Sequence, residues 1–117
     1  MTIRIKRIYE PAEAQDGYRV LVDRIWPRGV SKQDAAIDLW LKEVAPSTAL
    51  RKWFNHLPER WDKFKGRYYA ELDDNRQHLQ PLLKAAKDGN ITLVYSSRDQ
   101  EHNQAVALRE YLEKLGA

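Results

Sequence analysis

Apolar residues recur along this chain in two rhythms, every second position or every third to fourth, and the switches between them mark its elements. Ile3-Arg4-Ile5-Lys6-Arg7-Ile8-Tyr9 alternates apolar and polar positions and predicts a strand. Glu10 to Gly17 holds Pro11, Asp16 and Gly17 and reads as a loop. Tyr18-Arg19-Val20-Leu21-Val22-Asp23 predicts a second strand, and its aliphatic run implies burial on both faces. Pro27 and Gly29 exclude regular structure from Asp23-Arg24-Ile25-Trp26-Pro27-Arg28-Gly29. Ser31 to Ala36 has room for a short helical turn, and Ile37-Asp38-Leu39-Trp40-Leu41 alternates again, as a third strand or an irregular extended piece.

The helical rhythm then takes over. Ser47 is a good N-cap, and Leu50, Trp53, Phe54 and Leu57 follow it at i, i+3, i+4, i+7. Pro58 starts the next helix, with Trp61, Phe64, Tyr68 and Leu72 on its inner face. Asp73-Asp74-Asn75 marks a break, and Leu79, Leu82, Leu83 and Ala86 resume the spacing, with Pro81 implying a kink or a late start. Ile91-Thr92-Leu93-Val94-Tyr95 is the clearest strand, and Ala105, Leu108, Leu112 and Leu115 define a final helix before Gly116. Separated strands joined by helices predict an α/β layered fold over residues 1–117, one domain with a largely parallel sheet flanked by helices; α+β is the alternative.

Composition narrows the chemistry. At 117 residues and 13.8 kDa the chain is one domain's length. With no cysteine it has no disulfide, thiolate nucleophile or cysteine-ligated metal. Twenty Lys and Arg against 17 Asp and Glu give a net charge of +3, a mild imbalance. The mean hydropathy of −0.72, the lack of an apolar run of membrane-spanning length and the lack of a signal peptide point to a cytoplasmic protein with no membrane partner. His56, His78 and His102 lie on distant segments without metal-ligand spacing, so neither a metal nor a cofactor is expected.

In open α/β sheets, ligands bind at the carboxyl ends of strands. Two loops at such ends hold most of the unusual polar residues. Arg24 and Arg28 can grip a phosphate or carboxylate through paired N–H donors, and Trp26 can stack on a base or sugar; alternatively Asp23 and Arg24 form an ion pair and Trp26 fills the core. After the last strand, Ser96, Ser97 and Arg98 offer hydroxyls and charge beside a helix start, with Asp99 placed to cap that helix and His102 and Asn103 in its first turn. Ser47 and Arg51, one turn apart, form a second possible anion site, while Lys52 and Asn55 read as solvated. Arg67 and Glu71, at i, i+4, can pair on the surface. Asp23, Ser96 and His102 are the catalytic candidates; no Walker A loop or nucleophile elbow occurs.

These same residues carry a resemblance. Asp16-Gly17-Tyr18-Arg19-Val20-Leu21-Val22-Asp23-Arg24-Ile25-Trp26-Pro27-Arg28-Gly29 resembles the hallmark of the YeaO-like branch of the domain of unknown function 488 family. So do Trp40, Ala45-Pro46-Ser47, Leu50-Arg51 with Trp53-Phe54, Arg60-Trp61 with Phe64, Arg67-Tyr68 with Glu71-Leu72, Thr92-Leu93-Val94-Tyr95 and His102-Asn103 with Ala105. The resemblance implies a small bacterial or archaeal protein of a family without an assigned function. Related branches carry a cysteine that has prompted the suggestion of an enzyme, and this chain has none.

The leading expectation is a small anionic ligand, phosphorylated or carboxylated, including a nucleotide. Arg24, Trp26, Arg28, Ser47, Arg51, Ser96, Arg98 and Asn103 would bind it, with Tyr95 as a second stacking face. A hydrolase or transferase using the same pocket is the alternative. Nucleic-acid binding is possible but not favoured, because Lys and Arg are closely matched by Asp and Glu.

Overall fold

A computed structural model describes residues 2–116. Four parallel strands form one sheet in the order β1-β4-β2-β3: β1 (Ile3–Arg7), β2 (Tyr18–Leu21), β3 (Leu39–Trp40) and β4 (Ile91–Tyr95). The α/β expectation holds, and the last strand enters the middle, pairing Ile3 with Ile91 on one side and Tyr18 with Ile91 on the other. Backbone pairing continues past the strand ends, with Ile8 N–H donating to Tyr95 O and Val22 N–H to Val94 O. The segment at Ile37–Leu41 contributes only the two residues of β3 as strand, tied at its flanks by Asp38 N–H to Arg19 O and Leu41 N–H to Leu21 O.

Alternation along the strands divides the apolar residues between two faces. Val20, Val22, Ile91, Leu93 and Tyr95 point into the main core, with Phe54, Phe64, Tyr68, Leu72, Leu82 and Leu108 from helices α2 (Thr48–Phe54), α3 (Trp61–Asp74), α4 (Gln80–Asp88) and α5 (Gln104–Lys114). Leu21, Val94 and Ile8 point the other way, beneath α1 (Lys32–Ala35), Trp26 and Trp40. Pro58 opens a short 3-10 turn that leads into α3, and Pro81 sits at the start of α4, which follows a 3-10 turn over Arg76–Leu79.

A buried polar group stitches the chain together beside β1 and β2. Asp16 Oδ2 accepts from Arg19 Nη1 at 2.7 Å and from Lys6 Nζ at 3.2 Å. Arg19 also donates to the carbonyls of Ala35 and Ala36, and Thr92 Oγ1 donates to Asp16 O. Burial pushes the Asp16 carboxyl up, but the Glu13 N–H, Lys6 and Arg19 together hold it below the usual carboxylate range. No helix among the described residues is long and apolar enough to cross a membrane.

Candidate functional site

β2 and β4 lie side by side, and the chain leaves their carboxyl ends in opposite directions, toward α1 on one face and α5 on the other. A crevice opens where neighbouring strands part in this way. Here it is a cleft of about 390 Å³, lined from the β2 loop (Asp23, Arg24, Ile25), the segment before α2 (Ala45, Pro46), α2 and its end (Arg51, Lys52, Phe54, Asn55, His56), the β4 loop (Ser96, Ser97) and the start of α5 (His102, Asn103, Gln104).

Asp23 forms the floor and is buried. Its Oδ2 accepts from the Ser96 hydroxyl at 2.5 Å and the Ser96 N–H at 3.1 Å, and its Oδ1 from Gln104 Nε2 at 2.5 Å. Burial pushes the Asp23 carboxyl up, and the Ser96 and Gln104 hydrogen bonds and the Arg51 charge only partly offset this. No Asp23–Arg24 ion pair forms among the described residues. Arg24 reaches instead to the carbonyls of Ala45 (3.1 Å) and Pro46 (3.2 Å), clamping the segment before α2 against the β2 loop. Tyr68, buried in α3, anchors the same segment by donating to Val44 O.

Opposite the floor, the Arg51 guanidinium is exposed and makes no hydrogen bond or ion pair among the described residues. His102 lines the cleft with its Nδ1 held 2.9 Å from Asp99 Oδ2 and its ring edge-on to Trp61. Hydrogen bonds from the Glu101 N–H and from His102 hold Asp99 below the ordinary carboxylate range. Asp99 does not cap the last helix as expected. That helix starts one turn later, where Asn103 accepts from Val106 N–H, and Asp99 stabilises the turn before it.

Of the residues singled out from sequence, Asp23, Arg24, Arg51, Ser96, His102 and Asn103 meet in this cleft; Trp26, Arg28, Ser47 and Arg98 do not line it. Trp26 packs against Trp40 on the other face of the sheet, its indole N–H donating to Val30 O. Tyr95 is buried in the main core and offers no stacking face. Arg28 and Arg98 are exposed outside the cleft. Ser47 caps α2 as expected, accepting from Leu50 N–H, but the anion at this helix start is internal: Glu71 accepts from both the Ser47 N–H (2.9 Å) and hydroxyl (2.6 Å). Glu71 is therefore not paired with Arg67.

Four polar lining residues were not expected there: Lys52, Asn55, His56 and Gln104. Asn55 and His56 have positive φ (48° and 55°), so α2 ends abruptly, and both residues line the cleft. Asparagine is the commonest residue after glycine to take the left-handed conformation at a helix end, and Asn55 is the local signal for this one. Nothing local marks Gln104, which comes to Asp23 only through the pairing of β2 with β4.

A family model described as the inactive DUF488-N3 subclade matches residues 2–116. The uncharacterized protein YeaO of Escherichia coli (strain K12) is 45% identical over 115 residues, covering 98% of this chain and 100% of that one. An uncharacterized protein of Mycobacterium tuberculosis (strain ATCC 25618 / H37Rv) is 43% identical over 110 residues, covering 94% and 92%. No solved structure matches. The sequence hallmark, the cleft built from it and these likenesses over nearly the whole chain lead to one conclusion, that the protein belongs to the YeaO-like, inactive DUF488-N3 subclade of the domain of unknown function 488 family.

Proposed function

We propose that the cleft binds a small anionic ligand bearing a phosphate or carboxylate. The observation that carries this reading is the charge of the walls. Arg24, Arg51 and Lys52 face a single carboxylate, Asp23, whose oxygens already accept from Ser96 and Gln104. Arg51 is the principal contact, because its planar fork of donors is uncommitted and matches a phosphate or carboxylate in pairs. Phe54, Phe64 and Ile25 provide apolar wall for the rest of the ligand, and Ile25 is the most exposed large aliphatic side chain among the described residues.

Binding is favoured over turnover. The Ser96 hydroxyl donates to Asp23, and no hydrogen bond joins it to His102 among the described residues, so the hydroxyl is not paired with a histidine base. The subclade is also described as inactive.

Calorimetry against nucleoside monophosphates, sugar phosphates and dicarboxylates tests the proposal. At least one class binds with a Kd in the range of about 1 µM to 1 mM, and Arg51→Ala weakens it at least tenfold while leaving the melting temperature in place. If no member of the panel binds, or if Arg51→Ala binds as well as the parent, the reading fails.

A further inference from the structure

Outside the cleft, the strongest uncompensated charge runs along the first half of α3. Arg60, Lys63 and Arg67 fall at i, i+3, i+7 on one stripe, beside the buried Phe64 and Tyr68. The guanidinium carbons of Arg60 and Arg67 both lie against Trp53 of α2, 5.2 and 4.2 Å from the ring centroid. None of the three cations forms an ion pair among the described residues, whereas Lys65, further round the helix, pairs with Glu110.

This arrangement runs against the helix's own electrostatics. Asp62 in the first turn suits the dipole, but α3 also carries Lys63, Lys65 and Arg67 toward its positive amino end and Glu71, Asp73 and Asp74 toward its negative carboxyl end, where the dipole disfavours both groups. Residues 48–70 hold six of the chain's 20 Lys and Arg but two of its 17 Asp and Glu; the other 94 residues hold fourteen against fifteen. Of these six, Arg51 and Lys52 face the cleft, and Arg60, Lys63, Lys65 and Arg67 gather just before and on the first part of α3, against Glu59 and Asp62. Helix stability does not account for that placement, and a polyanionic partner does.

We infer that this ridge docks a single-stranded nucleic acid through its phosphates. A guanidinium stacked on an indole is already ordered, and its N–H edge remains turned outward to meet phosphate oxygens in pairs. Arg67 keeps all its donors for that purpose, since none is hydrogen-bonded among the described residues, while Arg60 commits Nη1 to the Trp53 carbonyl. The stripe spans about 10 Å of helix axis, seven residues at the α-helical rise, which suits one phosphodiester strand better than the two backbones of a duplex. Contacts to phosphate alone carry no base preference, so binding is independent of sequence and steeply dependent on salt. The inference does not rest on the small-ligand reading of the cleft.

Fluorescence anisotropy with a labelled oligouridylate of about 15 nucleotides, titrated between about 50 and 200 mM salt, tests it. The affinity falls steeply with salt. Lys63→Gln combined with Arg67→Gln weakens binding at least tenfold at the lowest salt and flattens the log–log slope by about 1.4, the value for two lost phosphate contacts on a single strand. Lys84→Gln, an exposed lysine on α4, leaves binding within about twofold of the parent, on the same footing as a surface charge outside the interface. If the double variant does not fold, Lys63→Gln alone still flattens the slope, by about 0.7. The inference is overturned if the parent shows no salt-dependent binding, if the slope is unchanged in these variants, or if polyglutamate of matched charge displaces the strand equally well, which would assign the ridge to an acidic polypeptide.

Discussion

The Asp23 carboxylate accepts both the hydroxyl and the backbone N–H of Ser96, joining the carboxyl ends of two strands that are 73 residues apart in the chain. This clasp fixes the floor of the cleft, and it places a buried, ionisable group there.

Asp23→Asn separates the two roles. A carboxyl raised by burial contributes most where it is protonated, below about pH 4, and that contribution is lost as pH rises through its higher folded-state value. The amide variant cannot ionise, and Gln104 can turn its own amide to stay paired. Its stability relative to the parent therefore improves with rising pH above about pH 4. Asp23→Ala instead strands the Ser96 N–H and the Gln104 amide and costs about 1–3 kcal/mol. Urea unfolding of both variants across a pH series reads the sign; a difference between parent and Asp23→Asn that stays flat with pH would refute the assignment.

Asp16 has the opposite sign. Its folded-state value is lowered, so its contribution is present above the ordinary carboxylate range and is lost as pH falls through the lowered value. Asp16→Ala leaves the buried Arg19 guanidinium without its carboxylate and costs about 3–5 kcal/mol near neutrality. The deficit shrinks as the parent is acidified below about pH 4. Denaturant midpoints at neutral and acid pH check both statements.

Ser47 and Glu71 form one unit. Ser47→Ala removes an N-cap, about 1 kcal/mol, together with a donor to Glu71; Glu71→Ala removes the acceptor for two donors. The double variant is therefore less destabilised than the sum of the singles, by about 0.5–3 kcal/mol in a double-mutant cycle. Strict additivity would show that the carboxylate does not serve the cap.

Two glycines with positive φ differ in what surrounds them. At Gly17 (φ +66°) an added Cβ would come within 2.2 Å of the Asn90 carbonyl oxygen; at Gly29 (φ +75°) it would meet nothing within 4 Å. Gly29→Ala carries only the left-handed backbone cost of about 1–2 kcal/mol. Gly17→Ala adds a backbone collision and costs roughly 2–4 kcal/mol in total. Melting temperatures of the two variants should rank in that order, and equal losses would contradict the close approach of β2 to the turn before β4.

How far the sequence foretells this structure depends on whether the signal is local. The aliphatic run Val20-Leu21-Val22 and the stripe Phe64, Tyr68, Leu72 report their own burial, because alternation and helical spacing act over a few residues. Five of the candidate site residues, Asp23, Arg24, Ser96, His102 and Asn103, meet because β2 and β4 are neighbours, so the loops at their ends share one cleft, and Arg51 joins them from α2. The departures arise from contacts made at a distance. Ser47 presents an inviting helix start until Glu71 of α3 fills it, and Trp26 looks available until the alternation of β2 carries its loop to the face that holds Trp40. His56 and Gln104 could be placed only once the abrupt end of α2 and the central position of β4 were known.

The strand order has a consequence for how the molecule is made. β1 and β2 do not pair with each other, and both wait for a strand that begins at Ile91. Until Ile91–Tyr95 joins them, only the short β2–β3 pair of the sheet can form, and the amphipathic helices have only part of a core to cover. Closing the sheet therefore depends on pairings between residues far apart in the chain, Ile3 with Ile91 and Tyr18 with Ile91, the long-range kind that slows folding.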